Sequence, residues 1–553
     1  MIIIHSSNFV NAEFEAEIGL IPPCMLPIGN KKMLELQVSH FRNYFPDEKI
    51  IITLPKSYQL TINEQAVISS LGISVQRICD KVSFAEAMLY VLNIEIEHPT
   101  EQIRILQGDR LLKDIPLNAD CIAIADQCRQ GDWYDRYQRQ DNESRWLGYF
   151  AFSSKANLVQ ALALSTNSFP AAVAHYQKRV VMDRAQPTEW YNCSHFNSYF
   201  DARSSITTQR SFNALVIEAG VVTKSSDDDV KIQAEIYWFS HLPAALKRFT
   251  PQFIGSGRLQ DGMTTYYCLE FLPLLPLNEL YVHGRNPTWF WHHIFNLVKD
   301  YFEHATHKDH LVHFEPCKIE ACRDDLYRKK TLGRLAAYQE SSQIDLHAPI
   351  IYQGAALGSI LDITNDCIEQ TRKLPSRAMI MHGDFCFSNI LFDSRARRLK
   401  LIDPRGIDCH YNFSIYGDIT YDLAKLTHSV IGMYDFIIAG RFEILPDTHS
   451  STGQIIHFDR DERLERIQAD FLQFCFVDEI SISDIIPAVV LLFLSMLPLH
   501  ADRPDRQQAM LLNAFRLYQQ HVHKPIIHSQ TNSNVKNNVA PDDHFYSHDV
   551  LEG

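Results

Sequence analysis

His382-Gly383-Asp384-Phe385-Cys386-Phe387-Ser388-Asn389-Ile390-Leu391 is followed, after a short gap, by Leu401-Ile402-Asp403-Pro404-Arg405-Gly406. An Asp and an Asn five residues apart, then an acidic residue closing a second apolar run, are the parts that phosphoryl transfer requires. One carboxylate orients an attacking hydroxyl, while an amide oxygen and a second carboxylate hold magnesium against nucleotide phosphates. The segment therefore predicts an enzyme.

The rest of the chain sets bounds on that reading. At 553 residues it is too long for one ordinary core, so several domains or lobes are expected. Apolar residues at 46% and charged residues at 21% describe a globular protein. A net charge of -14 and the lack of a Lys/Arg-rich block argue against a nucleic-acid partner. The twelve cysteines include no CxxC pair, which points to free thiols in a reducing cytoplasm rather than a zinc ribbon. Met1-Ile2-Ile3-Ile4-His5 reads as a first strand, not a signal peptide. Ile485 to Leu499 is the most apolar run, but Pro487 and Pro498 interrupt it, and it is expected as a buried helix with no membrane insertion.

Before about residue 205, apolar runs alternate with helical patterns. Ile2–Ile4, Ile50–Leu54, Ile103–Leu106 and Cys121–Ala125 read as buried strands, and Lys32–Phe45 and Phe84–Ile94 as helices between them. That order predicts a parallel α/β sheet. Ser211–Ile217, Gly220–Lys224 and Tyr266–Leu269 then read as antiparallel strands, with a helix from Asp229 to Leu242. Helical periodicity dominates from Trp289 onward. The tail from about Lys524, poor in apolar residues, is expected to be loosely ordered.

His382-Gly383-Asp384 with Asn389, Ile402-Asp403, Gly417-Asp418 and Tyr421-Asp422-Leu423-Ala424 together resemble the aminoglycoside phosphotransferase and choline kinase family. That resemblance implies a two-lobed α+β kinase-like domain over 206–523, with a small lobe at about 206–275 and a large lobe at 276–523. It implies ATP and Mg2+ as cofactors, Asp384 as the catalytic aspartate, and Asn389 and Asp403 as metal ligands. His382 would orient the loop, and Asp418 and Asp422 would satisfy backbone amides.

Lys224 and Glu235, eleven residues apart, resemble the strand lysine and helix carboxylate that hold nucleotide phosphates, with Lys231 as a rival lysine. Glu270-Phe271-Leu272 sits where the family has its adenine-binding hinge. Arg405 departs from the family pattern; it either meets a phosphate or acidic substrate group or pairs with Asp408. Met496–His500 either lines the acceptor pocket or packs.

Leu20–Leu34, Gly108-Asp109 and Trp146–Phe152 resemble the sugar-phosphate nucleotidylyltransferases, which implies an α/β nucleotidyltransferase-like domain over 1–205 with Asp109 as a magnesium ligand. The glycine- and arginine-containing loop of that family is replaced by Ser6–Glu13, and its lysine by Pro23 or Cys24. Displacement at an α-phosphate needs positive charge. Either this domain binds a nucleotide or activated sugar without turning it over, or Lys31 and Lys32 supply the charge.

Together the resemblances imply an ATP-dependent kinase for a hydroxyl of a sugar, polyol or amino alcohol, fused to a nucleotidyltransferase-like domain, in the synthesis of surface or capsular polysaccharide precursors. The competing reading is a regulatory protein that binds a nucleotide or sugar nucleotide through degenerate domains. Oligomeric state is left open.

Overall fold

The computed structural model describes residues 1–95, 102–125, 146–207, 209–210, 213–259, 262–311 and 317–523. The loosely ordered tail expected from Lys524 lies outside the described residues, as do Ser211 and Phe212 of the expected Ser211–Ile217 strand.

The N-terminal unit is built on β1 (Ile2–His5), whose four residues are all buried. Around it stand β2 (Ile50–Pro55), β3 (Ser74–Ile78), β4 (Ile103–Gln107), β5 (Cys121–Ile124), β6 (Trp146–Phe152) and β7 (Asp183–Ala185), in the order β7-β5-β6-β4-β1-β2-β3. Strand β1 pairs parallel with β2 and β4, so that Ile2 faces Ile50 on one side and Arg104 on the other. The sheet is not wholly parallel as the alternation suggested: β6 runs antiparallel to both β4 and β5. Six of its seven residues are buried, and an apolar run without alternation carries no record of strand direction.

Side-chain alternation divides the core. Ile3, Ile51 and Ile105 face helix α2 (Phe84–Ile94) in one cluster. Ile2, Ile4 and Ile52 face α1 (Met33–Tyr44) in another, which runs on into the C-terminal part of the molecule. The last helix of the unit, α3 (Phe196–Thr207), carries the expected boundary at residue 205 within it.

A five-stranded antiparallel sheet forms the small lobe. Strands β8 (Gln209–Arg210), β9 (Asn213–Glu218), β10 (Val221–Ser225), β11 (Phe253–Arg258) and β12 (Thr265–Glu270) lie in the order β8-β9-β10-β12-β11. Helix α4 (Asp229–His241), capped by the Asp228 side chain on the Lys231 amide, buries Ile232, Glu235, Trp238 and Phe239. The Trp238 indole donates to Met381 O at 2.8 Å, which ties the small lobe to the segment entering His382.

The large lobe contains α5 (Leu277–His283), α6 (Thr288–Ala305), α7 (Lys330–Ser342), α8 (Ile360–Arg372), the hairpin β13 (Ile390–Asp393) and β14 (Arg398–Leu401), α9 (Ile419–Val430), α10 (Ile482–Met496) and α11 (Pro504–Leu517). Ile482–His500 is apolar and long enough to cross a membrane by composition alone; it is mostly buried, and α10 packs among α7, α8, α9 and α11.

Buried polar contacts join the N-terminal unit to the large lobe. Arg203 of α3 forms a two-pronged pair with Glu279 of α5, its second prong at 2.8 Å. Glu64 accepts from Lys32 at 3.0 Å and from Arg285 at 2.6 Å. The Asn286 amide donates to Glu17 O at 2.8 Å, and Arg441 reaches Glu35 at 2.6 Å. Breaking a buried pair from one side strands a charge at a cost of about 3–5 kcal/mol. Arg203→Ala should lower stability to urea by that order, and Arg203→Met with Glu279→Leu should recover most of it. Equal losses in the single and double variants would show that the pair itself is not what holds the interface.

Candidate active site

The HGD segment enters from the strand Ala378–Ile380, and its turn is fixed from below by α9. Both oxygens of Asp422 accept backbone N–H groups, from His382 at 2.7 Å and Gly383 at 2.8 Å. His382 is fully buried, with Nε2 2.9 Å from Ile402 O and Nδ1 accepting from the Asp384 amide at 3.3 Å. Burial pushes the imidazole down to about 4, so it is a neutral spacer between the two acidic segments. Asp418 caps α9 through the Thr420 amide and pairs with Arg323 at 2.6 Å.

Asp384 stands between two partners. Asn389 Nδ2 donates to its Oδ2 at 2.8 Å and to its backbone O at 2.9 Å, and Lys425 Nζ lies 2.8 Å from Oδ1. Burial alone would raise this carboxyl, but Lys425 overrides it and holds it below the ordinary range. The side chain is still 42% exposed toward the cleft.

Ile402 N donates to Asn389 O at 3.1 Å, so Asn389 and Asp403 are neighbours across the β13–β14 hairpin. Asp403 adopts a left-handed backbone with φ of 56°. That conformation is sparsely populated outside glycine, though less so for Asp. Its Oδ1 accepts from Lys224 Nζ at 2.9 Å.

Lys224 closes the constellation from the small lobe. Its Nζ also lies 2.7 Å from Glu235 Oε2, which accepts from Tyr267 Oη at 2.5 Å. Burial would lower this ammonium, but Asp403 and Glu235 together raise it. The rival Lys231 is exposed on α4. Gly406, at φ of 65°, lets the loop after Asp403 lie directly on α4: a Cβ there would sit 1.9 Å from Ala234 O.

The three hinge residues divide. Glu270 N donates to Gln252 O at 2.9 Å and Phe271 N to Gly220 O at 2.8 Å, so these amides are not available to an adenine edge as the positional reading supposed. The Leu272 amide has no backbone partner among the described residues. Arg405 does not pair with Asp408, whose oxygens take the His410 and Asn412 amides and the Asn412 side chain.

Sequence reading missed Lys425, although it lies one helical turn from Tyr421 on the same face. It also missed a donor group in which Asp325, Cys409 and His410 place ligand atoms within 4.8 Å of one another, with Cys322 Sγ 2.7 Å from Cys409 Sγ.

Asp109 lies far from these groups in sequence and lines a separate cavity of about 290 Å3 in the N-terminal unit, with Ser6, Asn8, Phe84 and Gln107. No Lys or Arg is among the described residues lining it. Lys32 is 4% exposed and committed to Glu64, and so supplies no charge there. Asp109 has Arg110 Nε at 3.5 Å.

The chain is similar to solved structures of two kinds. A nucleoside-diphosphate-sugar pyrophosphorylase from Vibrio cholerae RC9 is 15% identical, with 36% of this chain and 98% of that one covered and a TM-score of 0.30. Aminoglycoside 2'-phosphotransferase-IIIa, solved as a GDP complex, is 12% identical over 56% of this chain and 90% of that one, with a TM-score of 0.33. A thermostable mutant of aminoglycoside phosphotransferase APH(4)-Ia is 12% identical over 57% and 96%, with a TM-score of 0.32. No protein-family model and no curated protein matches the chain.

Two carboxyls beneath the site make stability depend on pH. Burial pushes Asp422 up to about 7 against its two amide partners, and burial pushes Asp435 up to about 7 against its Ser429 contact. Raised above their unfolded values, both stabilise the fold fully at low pH and lose that contribution as pH rises through 7. Asp435 Oδ2 has no hydrogen-bond partner among the described residues. Asp435→Asn should therefore flatten the fall in urea midpoint between pH 5 and 8. An unchanged slope would show that this carboxyl is already ionised throughout.

Proposed function

We propose that the C-terminal two-lobed unit transfers the γ-phosphoryl group of ATP, with Mg2+, to a hydroxyl of a small molecule. The observation that carries this is the meeting of Lys224, Glu235 and Asp403 across the lobes, beside an Asp384 carboxylate held by Asn389.

The donor set fits magnesium. With Nδ2 committed to Asp384, Asn389 has its Oδ1 engaged by a long 3.4 Å contact from Ser388 Oγ, and Asp403 keeps its second oxygen and is 44% exposed; both offer hard oxygens, which Mg2+ prefers. Asn389 and Asp403 would hold the ion, which would supply positive charge against the nucleotide phosphates. Lys224 holds the same phosphates from the small lobe, positioned by Glu235. Asp384, kept ionised by Lys425, accepts the hydrogen bond of the acceptor hydroxyl and aligns it for in-line attack. His382 keeps the Asp384 turn at a fixed distance from Ile402 and takes no proton at neutral pH.

The N-terminal unit is proposed to bind a nucleotide or sugar nucleotide at the Asp109 cavity without turning it over. No Lys or Arg is among the described lining residues and Arg110 beside the cavity is already paired with Asp109, which supports that reading, because a nucleotidyl transition state needs cationic stabilisation. Two such units in one chain support a place in making an activated sugar or polyol precursor.

Asp403→Ala should abolish ADP release and weaken magnesium-ATP binding at least tenfold, since a metal ligand acts in ground and transition state alike. Asp384→Asn should lose turnover by roughly 10²–10⁴-fold, the ordinary range for a group handling the transferred proton, and keep magnesium-ATP affinity. Calorimetry beside steady-state kinetics reads both. Undiminished affinity in Asp403→Ala, or full turnover in Asp384→Asn, would overturn the corresponding assignment.

A further inference from the structure

Four basic side chains gather on the large-lobe side of Asp384. Lys330 and Arg334 are one turn apart on α7, Lys425 is one turn from Tyr421 on α9, and Arg405 comes from the loop after Asp403. Lys330 Nζ lies 3.5 Å from Tyr421 Oη, with the ring beneath it at 5.9 Å. Arg334 donates to Ser495 O at 3.1 Å, near the C-terminal end of α10. The Arg405 amide donates to His382 O at 2.8 Å, and its side chain lies against Gly383, where a Cβ would come within 2.5 Å of Arg405 Cβ.

One carboxylate serves this group. Lys425 pairs with Asp384, whereas among the described residues Lys330, Arg334 and Arg405 form no ion pair with Asp or Glu. Such crowding shows in the titration of its members. The Tyr421 phenol pulls the Lys330 ammonium up, yet burial and the charges of Arg405, Lys425 and Arg334 leave it below the usual lysine range. Burial would raise the Tyr421 phenol, but Lys330, Lys425 and Arg405 bring it down to about 8. Partly buried cations of one sign repel one another at low local dielectric, and a fold keeps them together at a cost unless an anion enters.

We propose that Lys330, Arg334 and Arg405 bind an anionic group of the acceptor, a carboxylate or a phosphate, beside the hydroxyl that Asp384 addresses. The inference rests on the kinase reading of the site. Asn389 holds Oδ2 of Asp384 and Lys425 holds Oδ1; nucleotide phosphates are the competing anion, and the KM for ATP of a Lys330→Gln, Arg334→Gln double variant separates the two. The acceptor class is thereby narrowed to hydroxy acids and phosphorylated polyols or sugars. Neutral sugars leave the cluster unneutralised, and cationic amino alcohols are repelled by it.

Matched acceptors test this with the full chain and magnesium-ATP: glycerol against glycerate and glycerol 3-phosphate, and glucose against gluconate and glucose 6-phosphate. Within a set, the carboxylate or the phosphate member should exceed its neutral partner at least tenfold in kcat/KM, and which of the two does so identifies the anion. A hydrogen bond to a charged group contributes about 1.5–3 kcal/mol, so Lys330→Gln with Arg334→Gln should raise KM for that acceptor at least tenfold. KM for ATP should stay within about twofold.

A second measurement does not depend on turnover. At constant ionic strength, inorganic phosphate or malonate should raise the melting temperature of the wild-type chain and not that of the double variant. The double variant without anions should melt no lower than wild type. Equal anion response in both chains, or none in either, overturns the proposal. ADP release confined to neutral acceptors and indifferent to the two substitutions overturns it while leaving the kinase reading standing. Anion binding at the cluster without ADP release from any acceptor overturns the kinase reading instead.

Discussion

The ammonium of Lys224 is the point on which the site depends. It is nearly excluded from water and carries two carboxylates from opposite lobes, which together hold its charge against burial. Glu235 reaches it because α4 buries that residue on the same face as Trp238, and Asp403 reaches it because the backbone there turns left-handed. The loop that follows can lie against α4 only with glycine at 406. Lobe closure, helix position and the presentation of the proposed metal ligand are therefore one condition rather than three.

Much of this arrangement was readable in the chain. Phe84–Ile94 was bounded correctly because a Ser83 cap and a long apolar face agree. The spacing of Asp384, Asn389 and Asp403 is local and survives in any fold that closes the β13–β14 hairpin. What could not be read depends on remote segments or on degenerate patterns. Strand β6 is apolar on both faces and so carries no sign of its direction. Strand β11, Phe253–Arg258, was missed because Gly255, Ser256 and Gly257 break its β character. The hinge amides of Glu270 and Phe271 are spent on Gln252 and Gly220, partners that only the folded sheet supplies. Lys330 and Arg334 lie more than eighty residues from Lys425, and nothing in their own helix marks them as more than a solvated face.

The surroundings of Asp109 and of Asp384 differ in electrical character. No Lys or Arg is among the described residues lining the Asp109 cavity, and Arg110 beside it is paired with Asp109, whereas four basic side chains gather near Asp384 around one carboxylate. Composition pointed the other way, since the whole chain is acidic at -14. Net charge governs long-range behaviour and solubility; local charge is set over a few ångströms by side chains that the fold gathers from three segments.

Arg203 precedes the small lobe in the chain, and Glu279 follows it. Their pair clasps the neck of a loop that contains the entire five-stranded sheet and α4. The two chain ends of the small lobe are thus clasped at one place, while Trp238 and Lys224 hold its far side to the large lobe. Among the described residues, the buried polar contacts named above for the N-terminal unit end on the large lobe, so the large lobe is the common base on which the other two parts are mounted.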